Sequence, residues 1–103
     1  MDKNHLDKDF AKIAELFQIY QNSLSSNNNA SLLEQTKSKI VVQFWKTIQK
    51  AAISSEMKEQ SDIIAETIVN CIETYVNKDP TEFSKITYSS IIRALKAKAD
   101  TET

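Results

Sequence analysis

The sequence contains no glycine in 103 residues, whereas average usage of about 7% would give roughly seven. This absence excludes glycine-rich phosphate-binding loops, dinucleotide-binding turns and glycine-based hairpins. The chain also has one proline, one cysteine and one histidine. A single cysteine allows neither an internal disulfide nor a cysteine-rich zinc site. So few nucleophiles, bases and metal ligands argue against an enzyme, and we expect no cofactor.

Long apolar runs are missing as well, because the longest span only three residues, as in Ile40-Val41-Val42. A membrane-spanning helix needs about 20 predominantly apolar residues, so none is predicted. The remaining composition is ordinary, with 41% hydrophobic and 26% charged residues and a net charge of -1. We therefore expect a cytoplasmic protein with no membrane contact, and one domain that covers residues 1–103.

Apolar residues recur at helical spacing in four segments, which predicts an all-α fold, a compact bundle of about four helices. The first segment covers residues 6–24. Residues 25–30 are rich in Asn and Ser and predict a linker. The other helices lie within residues 31–99. Because the linker would let the first helix move, its apolar stripe is also a candidate seam for a second copy or another partner.

Capping signals predict where the helices begin. A Ser-x-x-Glu capping box predicts that the second helix begins at Ser31, and its periodicity extends to about Ile53. Ser61 is predicted to cap a third helix that ends near Val76. Asp79, followed by a proline and then a glutamate, predicts the start of the fourth helix.

The apolar faces of these helices are expected to form one core. Trp45 and Cys71 lie among apolar neighbours and are assigned to the interior rather than to a function, and Tyr88 is expected to point to the buried side. The other predicted core residues are Phe10, Ile13, Phe17, Val41, Phe44, Ile48, Ile64, Ile68, Ile72, Phe83, Ile91 and Leu95.

Charge is divided along the chain. Residues 37–50 contain four lysines and no acid, residues 59–82 contain six acids and one lysine, and residues 83–99 contain four cations and no acid. At about 100° per residue, the third helix presents an acidic strip and the fourth a basic strip. The acidic strip is Asp62, Glu66, Asn70 and Glu73; the basic strip is Lys85, Ser89, Arg93 and Lys96. Such strips either bind basic protein and phosphates or are simply solvated helix faces.

The third and fourth helices also carry a particular order of residues. Asp62-Ile63-Ile64-Ala65-Glu66 leads through Ile68, Asn70 and Ile72 to Asp79-Pro80, and then to Phe83-Ser84-Lys85-Ile86-Thr87-Tyr88-Ser89-Ser90-Ile91-Ile92-Arg93-Ala94-Leu95. This order resembles the second conserved region of bacterial sigma factors, whose pattern reads D-L-I-Q-E-G-x-I-G-L-I-x-A, then F-D-P, then F-S-T-Y-A-x-W-W-I-R-Q-A-I. Lys39-Ile40-Val41-Val42 resembles the N-x-R-L-V-V start of the preceding helix. The resemblance covers residues 37–95.

The resemblance implies a module of transcription initiation. The third helix would dock on the clamp coiled coil of core RNA polymerase through the acidic strip. The fourth helix would face promoter DNA through the basic strip together with Ile86 and Ser90. Ile86, Ser89 and Ser90 stand where the family has a tyrosine and two tryptophans, so we expect little preference for single-stranded DNA. Because the four cations of the fourth helix can contact only a few phosphates, we expect the isolated chain to bind DNA weakly.

Two functions follow as hypotheses. The first is a sigma-factor-like module that binds core RNA polymerase and promoter DNA, with an anti-sigma protein or a second copy as a further candidate partner through residues 6–24. The alternative is a non-enzymatic, all-helical protein–protein interaction or dimerisation module.

Overall fold

Helices account for almost all of the chain. The computed structural model describes residues 3–26 and 30–102, and these residues form five helices and no strand. The helices are α1 (Lys3–Ser26), α2 (Ala30–Gln49), α3 (Ser55–Lys58), α4 (Ser61–Thr74) and α5 (Pro80–Glu102). The predicted all-α bundle of four main helices is confirmed, and the single-turn α3 adds a fifth within the polar joint between α2 and α4.

The four long helices form a ring in which each packs against two neighbours. α1 and α4 both pack against α2 and α5. Asp9 near the start of α1 contacts Lys50, just after the end of α2. Lys37 in the first half of α2 meets Glu73 at the end of α4. Neighbouring helices therefore run antiparallel, as in an up-and-down bundle.

Aromatic rings tie three of the helices together at the centre of the core. The rings of Phe17 and Phe83 are nearly parallel with centroids 3.8 Å apart, and Phe44 meets Phe83 edge-on at 6.1 Å. Most of the predicted core is confirmed, and Cys71 is buried as expected. The buried hydrophobic residues are Ile13, Phe17, Tyr20, Ile40, Phe44, Ile48, Ile64, Ile68, Cys71, Ile72, Phe83, Ile91 and Leu95.

The assignment of Trp45 to the core is wrong, because this side chain is 42% exposed. Ile40, Phe44 and Ile48 recur every four residues and already direct one face of α2 to the core. A residue adjacent to Phe44 is rotated by about 100° from it, so Trp45 faces outward. Phe10, Val41 and Tyr88 pack at the edge of the core and are only partly buried.

The first helix is an integral part of the bundle, which corrects the expectation that its stripe is a seam for a partner. Ile13, Phe17 and Tyr20 are buried within the chain itself. The Ser84 hydroxyl donates to the Phe10 carbonyl at 3.2 Å and so joins α5 to α1. The apolar stripe of residues 6–24 is therefore occupied by α2 and α5.

The capping predictions had mixed outcomes. Asp79 caps α5 as expected, because its Oδ2 accepts hydrogen bonds from the backbone N–H groups of Thr81 at 3.1 Å and Glu82 at 3.3 Å. Ser61 does not cap α4, since it is the first helical residue and follows the cap position at Gln60, whose side chain makes no capping bond.

The predicted boundaries of the first two helices also shift. Residues 25–30 are less of a linker than expected, because α1 extends to Ser26 and α2 already begins at Ala30, before Ser31; residues 27–29 lie outside the described residues. α2 ends at Gln49 rather than near Ile53. The N–H groups of Lys50 and Ala51 bond to carbonyls three residues earlier, which tightens and ends the helix.

Candidate functional site

The predicted acidic strip lies along one exposed face of α4. Asp62, Glu66, Asn70 and Glu73 are all exposed. Ile64, Ile68 and Ile72, on the opposite face, are fully buried. The structure therefore brings the four candidate polymerase-binding residues into one row on the outside of the bundle.

Two carboxylates of the strip are left without a cation. Glu73 Oε2 lies 3.6 Å from Lys37 Nζ, which is also 3.8 Å from Glu34 Oε2. Within the part of the chain that the structure describes, Asp62 and Glu66 form no ion pair. Exposed ion pairs contribute only about 0–1 kcal/mol, so Lys37 holds Glu73 weakly. The strip thus presents negative charge that a basic partner can neutralise.

The end of α4 is fixed by contacts from α1. Gln21 Nε2 donates to the backbone carbonyls of Val76 at 3.0 Å and Lys78 at 2.8 Å, in the turn that joins α4 to α5. The carbonyls after a helix end would otherwise need water or another donor. These two bonds tie α1 to the turn that connects the acidic strip of α4 to the start of α5.

The predicted basic strip lies on the outer face of α5. Lys85, Ser89, Arg93 and Lys96 are exposed. Among the described residues, none of these three cations forms an ion pair. An open groove of about 360 Å³ runs beside Ser89, Arg93 and Lys96. Positive charge along such a groove is suited to contact with phosphates.

Ile86 and Ser90, the other two candidate DNA-binding residues, are only partly accessible. Both side chains are half-buried at the edge of the strip. They are not brought onto the outer face with Lys85 and Arg93, and so they leave little surface for a base to cover.

The two aromatic side chains of α5 are buried to different degrees, and only Tyr88 lines the groove beside the basic strip. Phe83 is fully buried against the ring of Phe17. Tyr88 is half-buried and meets Phe10 edge-on, with centroids 5.4 Å apart. Burial also raises the pKa of the Tyr88 phenol above its usual value. Phe83 and Tyr88 therefore offer little free ring surface to a stacked base.

A buried polar cluster between α1 and α2 was not predicted from the sequence. The Asp9 carboxylate is only 8% exposed. Its Oδ2 accepts a hydrogen bond from Thr47 Oγ1 at 3.1 Å and lies 3.1 Å from Lys50 Nζ. Because Asp9 precedes Ile13 by four residues, its side chain lies on the same face of α1 as the apolar stripe. With both partners present, the cluster joins α1 to the C-terminal end of α2.

The described residues form neither a metal-binding cluster nor a membrane-spanning helix. They contain no group of three or more His, Cys, Asp or Glu side chains that could hold a metal ion. None of their helices has an apolar stretch long enough to cross a membrane. Comparisons with protein-family models, with curated proteins and with solved structures give no match for this chain.

Proposed function

We propose that the chain is a sigma-factor-like module of transcription initiation, which works in the cytoplasm. In this proposal, the acidic strip of α4 binds core RNA polymerase, and the basic strip of α5 contacts promoter DNA weakly. Two observations support it. The residue order of positions 37–95 resembles that of the sigma-factor region, and two exposed strips of opposite charge lie on neighbouring helices.

The main support is the exposed pair Asp62 and Glu66. These two carboxylates lie one helical turn apart and have no cationic partner among the described residues. They therefore repel each other slightly when no partner is bound to α4. A basic partner surface removes this repulsion and gains charge-assisted hydrogen bonds. Electrostatic complementarity of this kind sets both specificity and association rate.

The double variant Asp62→Lys, Glu66→Lys tests the polymerase contact. We expect it to lose retention on immobilised core RNA polymerase, because like charges would then face each other. The matched control is Asp7→Lys, Glu59→Lys, which makes the same change in net charge at exposed positions outside α4. Circular dichroism should show equal helical content for both variants. Retention of the α4 variant at the wild-type level would refute the proposed contact.

A second candidate is a protein-interaction module outside transcription. It is favoured by Val42 and Trp45, two large apolar side chains that remain 50% and 42% exposed on α2. For such a module, wild-type protein would not be retained by purified core RNA polymerase at all. The experiment above therefore separates the two functions at its first step.

A further inference from the structure

One row of α2 residues faces solvent with the spacing of a coiled-coil seam. Its members are Gln35, Ser38, Val42, Trp45 and Gln49, which follow one another at intervals of three, four, three and four residues. The first four are exposed, whereas Gln49 at the end of the row is half-buried and donates to the Lys58 carbonyl at 3.1 Å. This α2 ridge lies opposite the face of α2 that enters the core. Positions with this spacing correspond to a and d of a heptad, the positions through which two helices pack together.

The two flanks of the α2 ridge carry opposite charge. A groove of about 490 Å³ lies between α2 and α1; Leu16 and Val42 line it, and its charged residues are Lys12, Lys39, Lys46 and Glu15. A second groove of about 350 Å³ lies between α2 and α4, lined by Val41, Val42 and Val69. At that groove Lys37 is shared between Glu34 and Glu73. The α1 side is thus net positive and the α4 side net negative.

The heptad positions of these charged residues predict whether two α2 helices would pair in parallel or antiparallel orientation. If Gln35 and Val42 are at a and Trp45 is at d, then Lys39 and Lys46 occupy e positions and Glu34 occupies the preceding g position. In a parallel pair of helices, a g residue lies across from an e residue of the other helix. A parallel pairing of two α2 helices would therefore place Glu34 of one copy across from Lys39 of the other. An antiparallel pairing would instead place like charges together.

We infer that the α2 ridge binds a second copy of this chain and forms a parallel homodimer with Trp45 and Val42 at its centre. A twofold axis parallel to α2 brings the basic flank of each copy onto the acidic flank of the other. Only two of the five ridge positions are large and apolar, so the dimer is weak and reversible.

Trp45 is the only tryptophan of the chain, so its fluorescence reports on the interface directly. As protein concentration rises from roughly 1 µM to 1 mM, the range in which weak interfaces form, its emission should shift to shorter wavelength. The mass from sedimentation should rise in parallel from 11.7 kDa toward twice that value. A wild-type protein that stays monomeric throughout would overturn the inference.

The variant Trp45→Lys should remain monomeric over the same range. Val42→Lys repeats the test at the neighbouring ridge position, in case the first variant loses helical content. Ile19→Lys is the matched control, since Ile19 is 46% exposed but lies on α1; this variant should dimerise like the wild type. Equal self-association of the two ridge variants and the control would also overturn the inference.

Charge exchange tests the parallel arrangement. The variant Lys39→Glu, Lys46→Glu should self-associate about tenfold more weakly than the wild type, and so should Glu34→Lys, Glu73→Lys, because like charges would then meet on both flanks. An equimolar mixture of the two variants should restore association. Lys8→Glu, Lys78→Glu, at exposed positions outside α2, should have no effect on self-association. A mixture that associates no better than its components would show that the flanks do not pair.

Discussion

Buried hydroxyl groups in this bundle differ in whether they have a partner. Thr36, Thr47 and Ser84 each donate to the carbonyl four residues earlier in their own helix. The single hydroxyl proton of Thr47 is shared between the Gln43 carbonyl and Asp9 Oδ2, and that of Ser84 between the Pro80 and Phe10 carbonyls. Thr87 is fully buried on α5, and its Oγ1 has no hydrogen-bond partner among the residues that the structure describes. A buried polar atom without a partner costs about 1–3 kcal/mol.

Replacement of Thr87 by valine should therefore stabilise the protein. We expect Thr87→Val to raise the free energy of unfolding by about 1 kcal/mol, which raises the melting temperature by about 4–8 °C in a domain of this size. Thr47→Val, the matched control, should lower the free energy of unfolding by about 1–2 kcal/mol, because the Asp9 carboxylate loses a donor. Thermal and urea unfolding measure both. A loss of stability in Thr87→Val would show that the hydroxyl has a partner, such as a buried water.

Tyr88 should make stability depend on pH in alkaline solution. Its raised pKa means that the folded protein keeps the phenol proton at pH values where the unfolded chain has lost it, above about pH 10. The unfolded state is therefore favoured progressively as the pH rises beyond that value. In Tyr88→Phe this contribution is absent, so stability should fall less steeply above pH 10 than in the wild type. Urea unfolding between pH 8 and 11 measures the difference, and equal slopes would contradict the assignment.

At the scale of elements, contacts between residues close in sequence could be predicted, whereas contacts between distant residues could not. The cap at Asp79 needs only backbone N–H groups two and three residues ahead, so it was predictable. The bonds from Gln21 to the turn after α4 cross 55 and 57 residues. The contact of Asp9 with Thr47 crosses 38 residues. No local pattern reveals such pairs, and for this reason the sequence left α1 as a mobile helix.

The surface strips were predicted from helical periodicity, whereas the assignment of Trp45 to the core rested on its apolar neighbours. Helical periodicity alone places Asp62 and Glu66 opposite Ile64 and Ile68, because one helix defines both faces. Trp45 and Phe44 are adjacent, and the four-residue spacing of Ile40, Phe44 and Ile48 already directs Phe44 inward and Trp45 outward. Both side chains are large and apolar, which favoured the burial of each, but in the bundle only Phe44 is buried and Trp45 is exposed.

The basic strip of α5 supports a limited prediction about DNA. Three cations in one row contact only a few phosphates, so the isolated protein should bind DNA at about 10⁻⁴–10⁻⁶ M or more weakly. Arg93→Ala, Lys96→Ala should lower the salt dependence of binding by about two phosphate contacts. Single strands should be only slightly preferred, because Phe83 is buried.

Fluorescence anisotropy with labelled single and double strands at two salt concentrations measures these quantities. Lys8→Ala, Lys78→Ala is the matched control, since both lysines are exposed outside the strip. An identical salt dependence in the strip variant and the control would show that the strip is a solvated helix face. Tight, sequence-selective binding of single strands would show that other side chains stack on bases.

At the scale of the whole molecule, the net charge is only -1, but the positive and negative side chains are separated on the surface. The acidic strip and the basic strip lie on α4 and α5, which pack against each other. α1 and α2 complete the ring and hold these two helices in place. Such an arrangement orients the molecule in the field of a charged partner before contact is made. The fold thus holds the two charged strips side by side on neighbouring helices.

The most direct test is a titration of the wild-type protein with purified core RNA polymerase at low and at moderate salt. The proposed function predicts saturable binding that weakens markedly as salt screens the acidic strip. Absence of binding at low salt would contradict the proposal, and so would binding whose strength does not change with salt.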